Sequence, residues 1–389
     1  MEHNFDEIVS RKGTNCLKHD FAAEHGKSAN VLPLWVADMD FKSPEPVVKA
    51  LLAAVEHGVF GYPGVKEEYF AVLRDWFAAD FGFEIKPGWL VRSPGVVFAL
   101  NTAVRAFTRP GEAVMIQTPV YPPFFKCVTA NERRLVDSEL LCLNGRYAID
   151  FDDFEKKMAE NRVKLFILCS PHNPVGRVWR PDELRELGRI CLKYGCLVVA
   201  DEIHCDFAHA GRKHHIFPLA GPGLADIAIV CLAPSKTFNI AGLQVANIVI
   251  PNAALKAAFE GETRRAGCGE LNCLGLVAGT AAYREGRPWL LELKRYLAGN
   301  FELLRNFLAE NLPLVRLTEP EGTFMAWLDF RALGLNQEEL NDLIVGRAGL
   351  WLNDGASFGR AGRGFQRMNL ASPRQVIQQA LTRLAAAIN

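Results

Sequence analysis

Three polar strings in the middle of the chain each follow a run of apolar residues: SPHNPVG after KLFILC, DEIH after CLVVA, and APSKTFNIAGL after AIVCL. They place Asn173, Asp201 and Lys236 at intervals of 28 and 35 residues. An amide, a carboxylate and an amine carried on neighbouring strand ends suit one task, holding a pyridine ring that bears an aldehyde. Lysine supplies the amine for an imine bond, and partial burial lowers its pKa so that it can act. An aspartate against the ring nitrogen keeps that nitrogen protonated, which makes the ring an electron sink. The amide donates to the phenolic oxygen of the ring. A phosphate on such a cofactor needs a helix N-terminus, and Ser93-Pro94-Gly95-Val96-Val97 offers one. There Gly95 lets the backbone come close, and Ser235 adds a hydroxyl.

Taken singly, each residue has a plainer reading. An aspartate at a strand end usually caps a helix or forms a turn, a Ser-Lys pair in a loop is usually solvated, and Asn-Pro is mostly a turn. Their joint occurrence, each after an apolar strand, carries the inference.

The elements that must position them follow from the hydrophobic pattern. Strands are expected at Glu112–Thr118, Arg134–Leu140, Lys164–Cys169, Cys196–Asp201, Ala228–Leu232 and Ala246–Ile250. Helices are expected at Val96–Phe107, Asp152–Asn161 and Asp182–Tyr194, the last opened by Pro181. Short strands apolar on both faces, separated by helices, indicate an α/β fold with a mainly parallel sheet covered by helices. In such a sheet, ligands bind beyond the carboxyl ends of the strands. From about Trp289 the texture changes to a long helix (Trp289–Asn311), a strand pair (Leu314–Thr318 and Thr323–Asp329), a helix at Gln337–Arg347 and a terminal helix after Pro373. The expected division is a large α/β domain over residues 42–287 and a smaller α+β domain over 288–389, joined by the N-terminal arm 1–41.

Composition excludes several classes. The chain of 389 residues carries 44 Lys plus Arg and 44 Asp plus Glu, so no cationic surplus exists for nucleic acid or an anionic membrane. Apolar residues at 49% and charged residues at 23% describe an ordinary globular protein rather than a disordered one. No apolar run approaches the roughly 20 residues of a membrane helix, and the polar start MEHNFDEIVSRKGTN has no signal-peptide core. Ten scattered cysteines, with no C-x-x-C pair, read as reduced thiols in the cytoplasm.

The strings SPHNPVG, ADEIH and PSKTFNIAGL resemble the fold-type I pyridoxal-phosphate enzymes of the aminotransferase class I/II superfamily. PLWVADMDFKSPEPV and FQRMNLASPR resemble, within it, the MalY/PatB-type cystathionine β-lyases. The resemblance covers nearly the whole chain. It implies pyridoxal 5′-phosphate as cofactor, with Lys236 condensing with its aldehyde and acting as base on the substrate Cα–H, Asp201 at the ring nitrogen and Asn173 at the phenolic oxygen. It implies that Tyr121 stacks on the ring and that Arg367 grips the substrate α-carboxylate. Gly95, Val96, Val97 and Ser235 would hold the phosphate. Tyr62 would reach the phosphate of a neighbouring subunit, which implies a homodimer with shared sites. The activity implied is α,β-elimination of L-cystathionine or related S-substituted cysteines to a thiol, pyruvate and ammonia; the alternative is an aminotransferase on the same fold. Leaving-group protonation falls to Lys236 or Tyr121.

The sequence departs from the broad aminotransferase pattern at three places. Gln244 stands where many relatives carry a phosphate-binding arginine, Ala233 where a hydroxyl is frequent, and His204 where a tyrosine often reaches the phenolic oxygen. The first two shift phosphate anchorage onto the Gly95–Val97 amides, Ser235 and Tyr62; the third weakens the case for transamination, with His204 either touching the ring or packing beside it.

Other signals lead elsewhere. Gly355-Ala356-Ser357-Phe358-Gly359 matches a nucleophile elbow, but no histidine follows His215 and no aspartate follows Asp354 to complete a triad; a Gly-rich loop near the substrate arginine is the better reading. His209, His214 and His215 lack metal-ligand spacing and read as a solvated loop. No metal is expected, and the C-x4-C pairs Cys191/Cys196 and Cys268/Cys273 read as plain thiols.

Overall fold

The computed structural model describes residues 3–389. Its large sheet has seven strands: β1 (Leu90–Ser93), β2 (Ala113–Ile116), β3 (Arg134–Asp137), β4 (Leu165–Cys169), β5 (Leu197–Asp201), β6 (Ala228–Leu232) and β7 (Ala246–Val249). They lie in the order β1-β7-β6-β5-β4-β2-β3. Neighbours pair in parallel except at β7, which runs antiparallel to both β1 and β6. Every residue of β2, β4 and β6 is buried, as a sheet covered on both faces requires. Alternation sorts these residues into two cores. Val114, Ile116, Leu165 and Ile167 face one helical layer, and Ala113, Met115, Phe166 and Leu168 face the other. Each of these side chains larger than alanine stabilises the fold by roughly 1.5–3 kcal/mol relative to exposure.

Register then sets the site. Cys169 pairs with Asp201, and Asp201 with Cys231, so β4, β5 and β6 end level with one another. The three polar strings leave one edge side by side, as their spacing predicts.

The smaller antiparallel sheet comprises Arg316–Leu317, Met325–Asp329, Phe365–Asn369 and Asn353–Asp354, in that order. Helices Arg287–Asn311 and Arg374–Ile388 pack on it through Leu304, Leu308, Ile377 and Leu381 against Ala326, Leu328 and Met368. Leu32–Pro33 of the N-terminal arm pairs in parallel with Leu350–Trp351. No helix among the described residues is long and apolar enough to cross a membrane.

The helix Val96–Phe107 has the expected bounds, and three other expected helices differ by one or two residues: Phe151–Asn161, Pro181–Tyr194 and Arg287–Asn311. Three differences have physical reasons. The strand expected to reach Leu140 ends at Asp137, whose carboxylate turns aside to accept from Thr118 N (3.2 Å) and Oγ1 (2.7 Å). Beyond it Leu141–Leu143 and Arg146–Ala148 form an unforeseen hairpin, closed by Asn144 and Gly145 at φ 51° and 79°, the geometry of a two-residue turn. The helix expected at Gln337–Arg347 is α-helical only to Asn341 and widens to a π-turn over Asp342–Arg347. Gly346 lies in this turn and leaves room for the Asp342 carboxylate, which would stand 2.5 Å from a Cβ there. Strand β1 and the helices Glu45–His57, Glu67–Phe81, Ala253–Arg265 and Cys273–Glu285 were not foreseen.

Candidate active site

At the level ends of β4, β5 and β6 lies a cavity of about 140 Å³, lined by Asn173, Asp201, His204, Ser235, Lys236, Tyr121 and the Pro94–Val97 turn among others. That is about ten times the space one buried water needs, so acid, amide and amine face a shared void rather than each other.

Asp201 closes β5. Its carboxylate is buried and accepts one backbone bond, from Ile203 N at 3.2 Å. Burial pushes its pKa up to about 7, only partly offset by that bond and by the charge on Lys236. A carboxylate enclosed with so little compensation stabilises a cation or a proton brought beside it.

Lys236 sits in the one-turn helix Pro234–Thr237 that follows β6. The turn is fixed from behind: Thr237 Oγ1 donates to Asp206 Oδ2 at 2.6 Å, and Trp76 Nε1 donates to the same carboxylate at 3.1 Å. The Lys236 ammonium donates to the carbonyl of Ala37 at 2.5 Å. Burial brings its pKa down to about 8, with Arg367 lowering it further and Asp38 and Asp201 opposing. An amine poised there exchanges its proton near neutrality.

Asn173 follows β4, and its backbone N–H donates to Cys169 Sγ at 3.4 Å. Its Oδ1 accepts from Arg367 Nη1 at 3.0 Å. Arg367 is central in the small sheet, paired with Trp327 on one side and Asn353 on the other. Its Nη2 donates to Trp35 O at 2.8 Å and Asn353 Oδ1 at 2.5 Å, and its guanidinium lies 5.0 Å from the Phe358 ring centre. The GASFG loop therefore packs beside this arginine, as expected. The Nε of Arg367 is buried with no partner among the described residues. Burial lowers the pKa of Arg367 to about 10. An orphaned donor on a buried cation is a receptor for a carboxylate.

Helix Val96–Phe107 opens at Gly95 with no side-chain cap, leaving the amides of its first turn free for an anion. A Cβ built on Gly95 would meet no protein atom within 4 Å, so the space before this helix is open. Ser235 lies on the same cavity. Tyr121 is half-buried along one wall, its phenol pKa raised by burial against the opposing charge of Arg367. His204 lines the cavity with its ring 5.6 Å from that of Phe324, and its Nδ1 is buried without a partner. Burial, reinforced by Lys236 and Arg367, lowers its pKa to about 3, so the imidazole is neutral. Tyr62 is not among the lining residues: it is 96% exposed, beside the exposed Val59 and Phe60.

Several participants were not assigned to the site from the sequence. Ala37 contributes a carbonyl, which no side-chain type announces. Gln244, a departure from the aminotransferase pattern, lines the cavity at φ 53°. Asn353 holds Arg367 from a strand of two residues, too short to leave a periodic signal. The expectation that His209, His214 and His215 form a solvated loop fails for His214, which is buried and bonded to Glu202 Oε2 at 2.7 Å, and for His209, half-buried with Nε2 2.7 Å from Thr323 O and its ring 4.8 Å from that of Phe301. Glu202 follows Asp201 and points to the opposite face of β5, where its buried carboxylate needs such a partner.

A family model described as aminotransferase class I and II matches residues 29–384. The chain is 42% identical over 386 residues to the cystathionine beta-lyase PatB of Bacillus subtilis, covering 99% of this chain and 100% of that protein. Cystalysin of Treponema denticola, whose crystal structure contains a pyridoxal 5′-phosphate cofactor, superposes with a TM-score of 0.95 at 38% identity, covering 100% and 99% of the two chains. A pyridoxal-phosphate-bound C–S lyase of Staphylococcus hominis gives 0.93 at 34% identity, covering 100% and 98%.

Proposed function

The chain belongs to the class I and II aminotransferase family, and on that premise we propose that it is a pyridoxal 5′-phosphate-dependent carbon–sulfur β-lyase. Its substrates are L-cystathionine or related S-substituted cysteines, cleaved with one water to a thiol, pyruvate and ammonia. The observation that carries this reading is the shared cavity onto which Asp201, Asn173 and Lys236 open, with Arg367 one hydrogen bond behind. When bound, the cofactor supplies an aldehyde that condenses with amines and a protonated ring that takes up an electron pair.

The residues present fit such a group. The under-compensated carboxylate of Asp201 suits a protonated ring nitrogen. The amide N–H of Asn173, turned away from Arg367, suits a phenolic oxygen. The uncapped Val96 and Val97 amides, the open space at Gly95 and the Ser235 hydroxyl suit a phosphate, and Tyr121 offers an aromatic face. His204, neutral and with an unpaired ring nitrogen, adds a polar contact in the same cavity.

The chain's own work is then positional and acid–base. Arg367 binds the substrate α-carboxylate through its free Nε. Lys236 removes the Cα proton, and its pKa near 8 lets it hold that proton and give it up again. The β-carbon–sulfur bond breaks, and Lys236 or Tyr121 delivers a proton to the departing sulfur.

Three further assignments belong to this reading. Residues 42–287 form the cofactor-binding domain, and 1–41 with 288–389 the smaller one. The exposed run Val59, Phe60 and Tyr62 supports a homodimer in which Tyr62 serves the neighbouring site. The unpaired state of all ten cysteines supports a cytoplasmic location.

The test is direct. Purified protein loaded with cofactor is given L-cystathionine and a panel of S-substituted cysteines, and thiol and pyruvate are measured with and without a 2-oxo acid. Release that needs no acceptor supports the lyase. Conversion of the 2-oxo acid to an amino acid, without thiol, replaces it with an aminotransferase.

A further inference from the structure

Five consecutive backbone carbonyls, from Trp35 to Met39, are each taken by a side chain from elsewhere in the molecule. Trp35 O accepts from Arg367 (2.8 Å), Val36 O from Asn369 (2.6 Å), Ala37 O from Lys236 (2.5 Å), Asp38 O from Asn369 again (2.5 Å) and Met39 O from Asn239 (3.0 Å). Asn239 also donates to Phe41 O (2.8 Å) and accepts from Met39 N (3.0 Å), while Asn369 Oδ1 accepts from Ala371 N (2.8 Å). Extended backbone normally satisfies such groups in a sheet. Here the donors are side chains of two kinds of element: Lys236 and Asn239 come from the turn after β6, and Arg367 and Asn369 from strand Phe365–Asn369. The flank of the segment is tied to the N-terminal arm, with Arg11 bound to Asp38 (2.5 Å) and Asp40 (2.8 Å), and the fully buried Lys18 bound to Asp40 (2.6 Å).

We infer that segment Trp35–Met39 is a strap that positions Lys236 for proton transfer: the Ala37 carbonyl holds the amine whenever it is not bonded to carbon, and Asn239 and Asn369 keep that carbonyl in place. The inference rests on the role proposed for Lys236. It assigns Asn239 and Asn369 as positioning residues, neither of which lines the cavity. It also joins the amine to the α-carboxylate receptor, because the same strap takes Arg367 two residues earlier. A strap displaced by about 1 Å costs proton transfer on the order of 10²-fold when geometry is decisive.

The test uses cofactor-loaded protein and three variants. Asn239 has φ 57°, so alanine there would add backbone strain; Asn239→Gly and Asn239→Asp both tolerate it. Glycine removes every bond made by the Asn239 side chain, whereas aspartate keeps an acceptor for Met39 N and loses both donated bonds. Asn369→Asp does the same from the other side. The first readout is exchange of the Cα hydrogen of L-alanine in D2O by NMR, which needs proton transfer but no leaving group, so it reports on the strap whether or not cystathionine is cleaved. The second is hydrogen–deuterium exchange of peptides covering 34–42. The strap is supported by alanine exchange slowed roughly tenfold or more together with faster amide exchange in 34–42, in at least one Asn239 variant and in Asn369→Asp. Alanine exchange within twofold of the parent, or slowed with the strap as protected as before, overturns it. A parent protein that exchanges alanine yet releases no pyruvate overturns the lyase reading alone.

Discussion

Arg367 donates through Nη1 to Oδ1 of Asn173 at 3.0 Å, and this bond decides which way the amide faces. Guanidinium has only donors to offer, so the amide oxygen must turn toward it and the N–H2 toward the cavity. One residue from the large sheet is thereby oriented by one from the small sheet. The receptor for a substrate carboxylate and the donor to a cofactor oxygen form a single hydrogen-bonded unit.

Asn173→Asp tests that unit. The new carboxylate would pair with Arg367 as an internal competitor for the substrate and would remove the amide donor. KM for an S-substituted cysteine should rise roughly tenfold or more, and cofactor affinity should fall in a fluorescence titration. An unchanged KM would refute the assigned orientation.

The raised pKa of Asp201 makes a prediction about pH. Between its ordinary value of 3.8 and about 7, the folded protein holds a proton that the unfolded chain releases. Stability therefore falls as pH rises through that window, by about 1.4 kcal/mol for each pH unit well inside it. His204 and His172, with pKa values lowered to about 3 and 4, act in the opposite sense over part of the range, so the comparison must be between variants. In cofactor-free protein, the melting temperature of Asp201→Asn minus that of the parent should grow from pH 4 to pH 7. A flat difference would show that the carboxylate is already compensated.

Gly95→Ala should separate folding from binding by sign. With φ at 175° any residue fits, and the added methyl meets no protein atom within 4 Å. Replacing glycine restricts the unfolded chain and stabilises by about 0.4–1 kcal/mol. The same methyl would enter the space assigned to the phosphate, so cofactor affinity should drop by roughly tenfold. Thermal melting of the cofactor-free variant and equilibrium titration measure the two effects. Unimpaired binding would move the phosphate elsewhere.

What could be read in advance was the part of the site built from side chains on buried strands. Asn173, Asp201 and Lys236 each follow a run that must lie inside the sheet, so their polarity marks an edge. The helix Val96–Phe107 announced itself by period and by the glycine before it. Backbone chemistry left no such trace: nothing in the letters of PLWVADM says that its carbonyls are taken one after another. His214 misled because HAGRKHH has no large apolar residue, yet its partner Glu202, one residue past the end of β5, is fully buried. The small sheet was only half visible, since Asn353–Asp354 pairs over two residues and depends on Phe365–Asn369 to exist.

The position of Tyr62 gives the last prediction. It is 96% exposed and does not line the cavity at the strand ends of its own chain, although Val59 and Phe60 beside it are apolar. If Tyr62 completes the site of a second copy, two defects on different chains should complement. Lys236→Ala should lose pyruvate release and the absorbance of the lysine-bound cofactor together, and Tyr62→Ala should be strongly impaired through weakened cofactor binding. In a hybrid dimer one site collects both lesions and the other collects none. Unfolding and refolding the two proteins in equal amounts gives hybrids as about half of all dimers, so about a quarter of the parent activity should return. Sedimentation should show the dimer in each preparation. A mixture no more active than its components would place Tyr62 outside the neighbouring site.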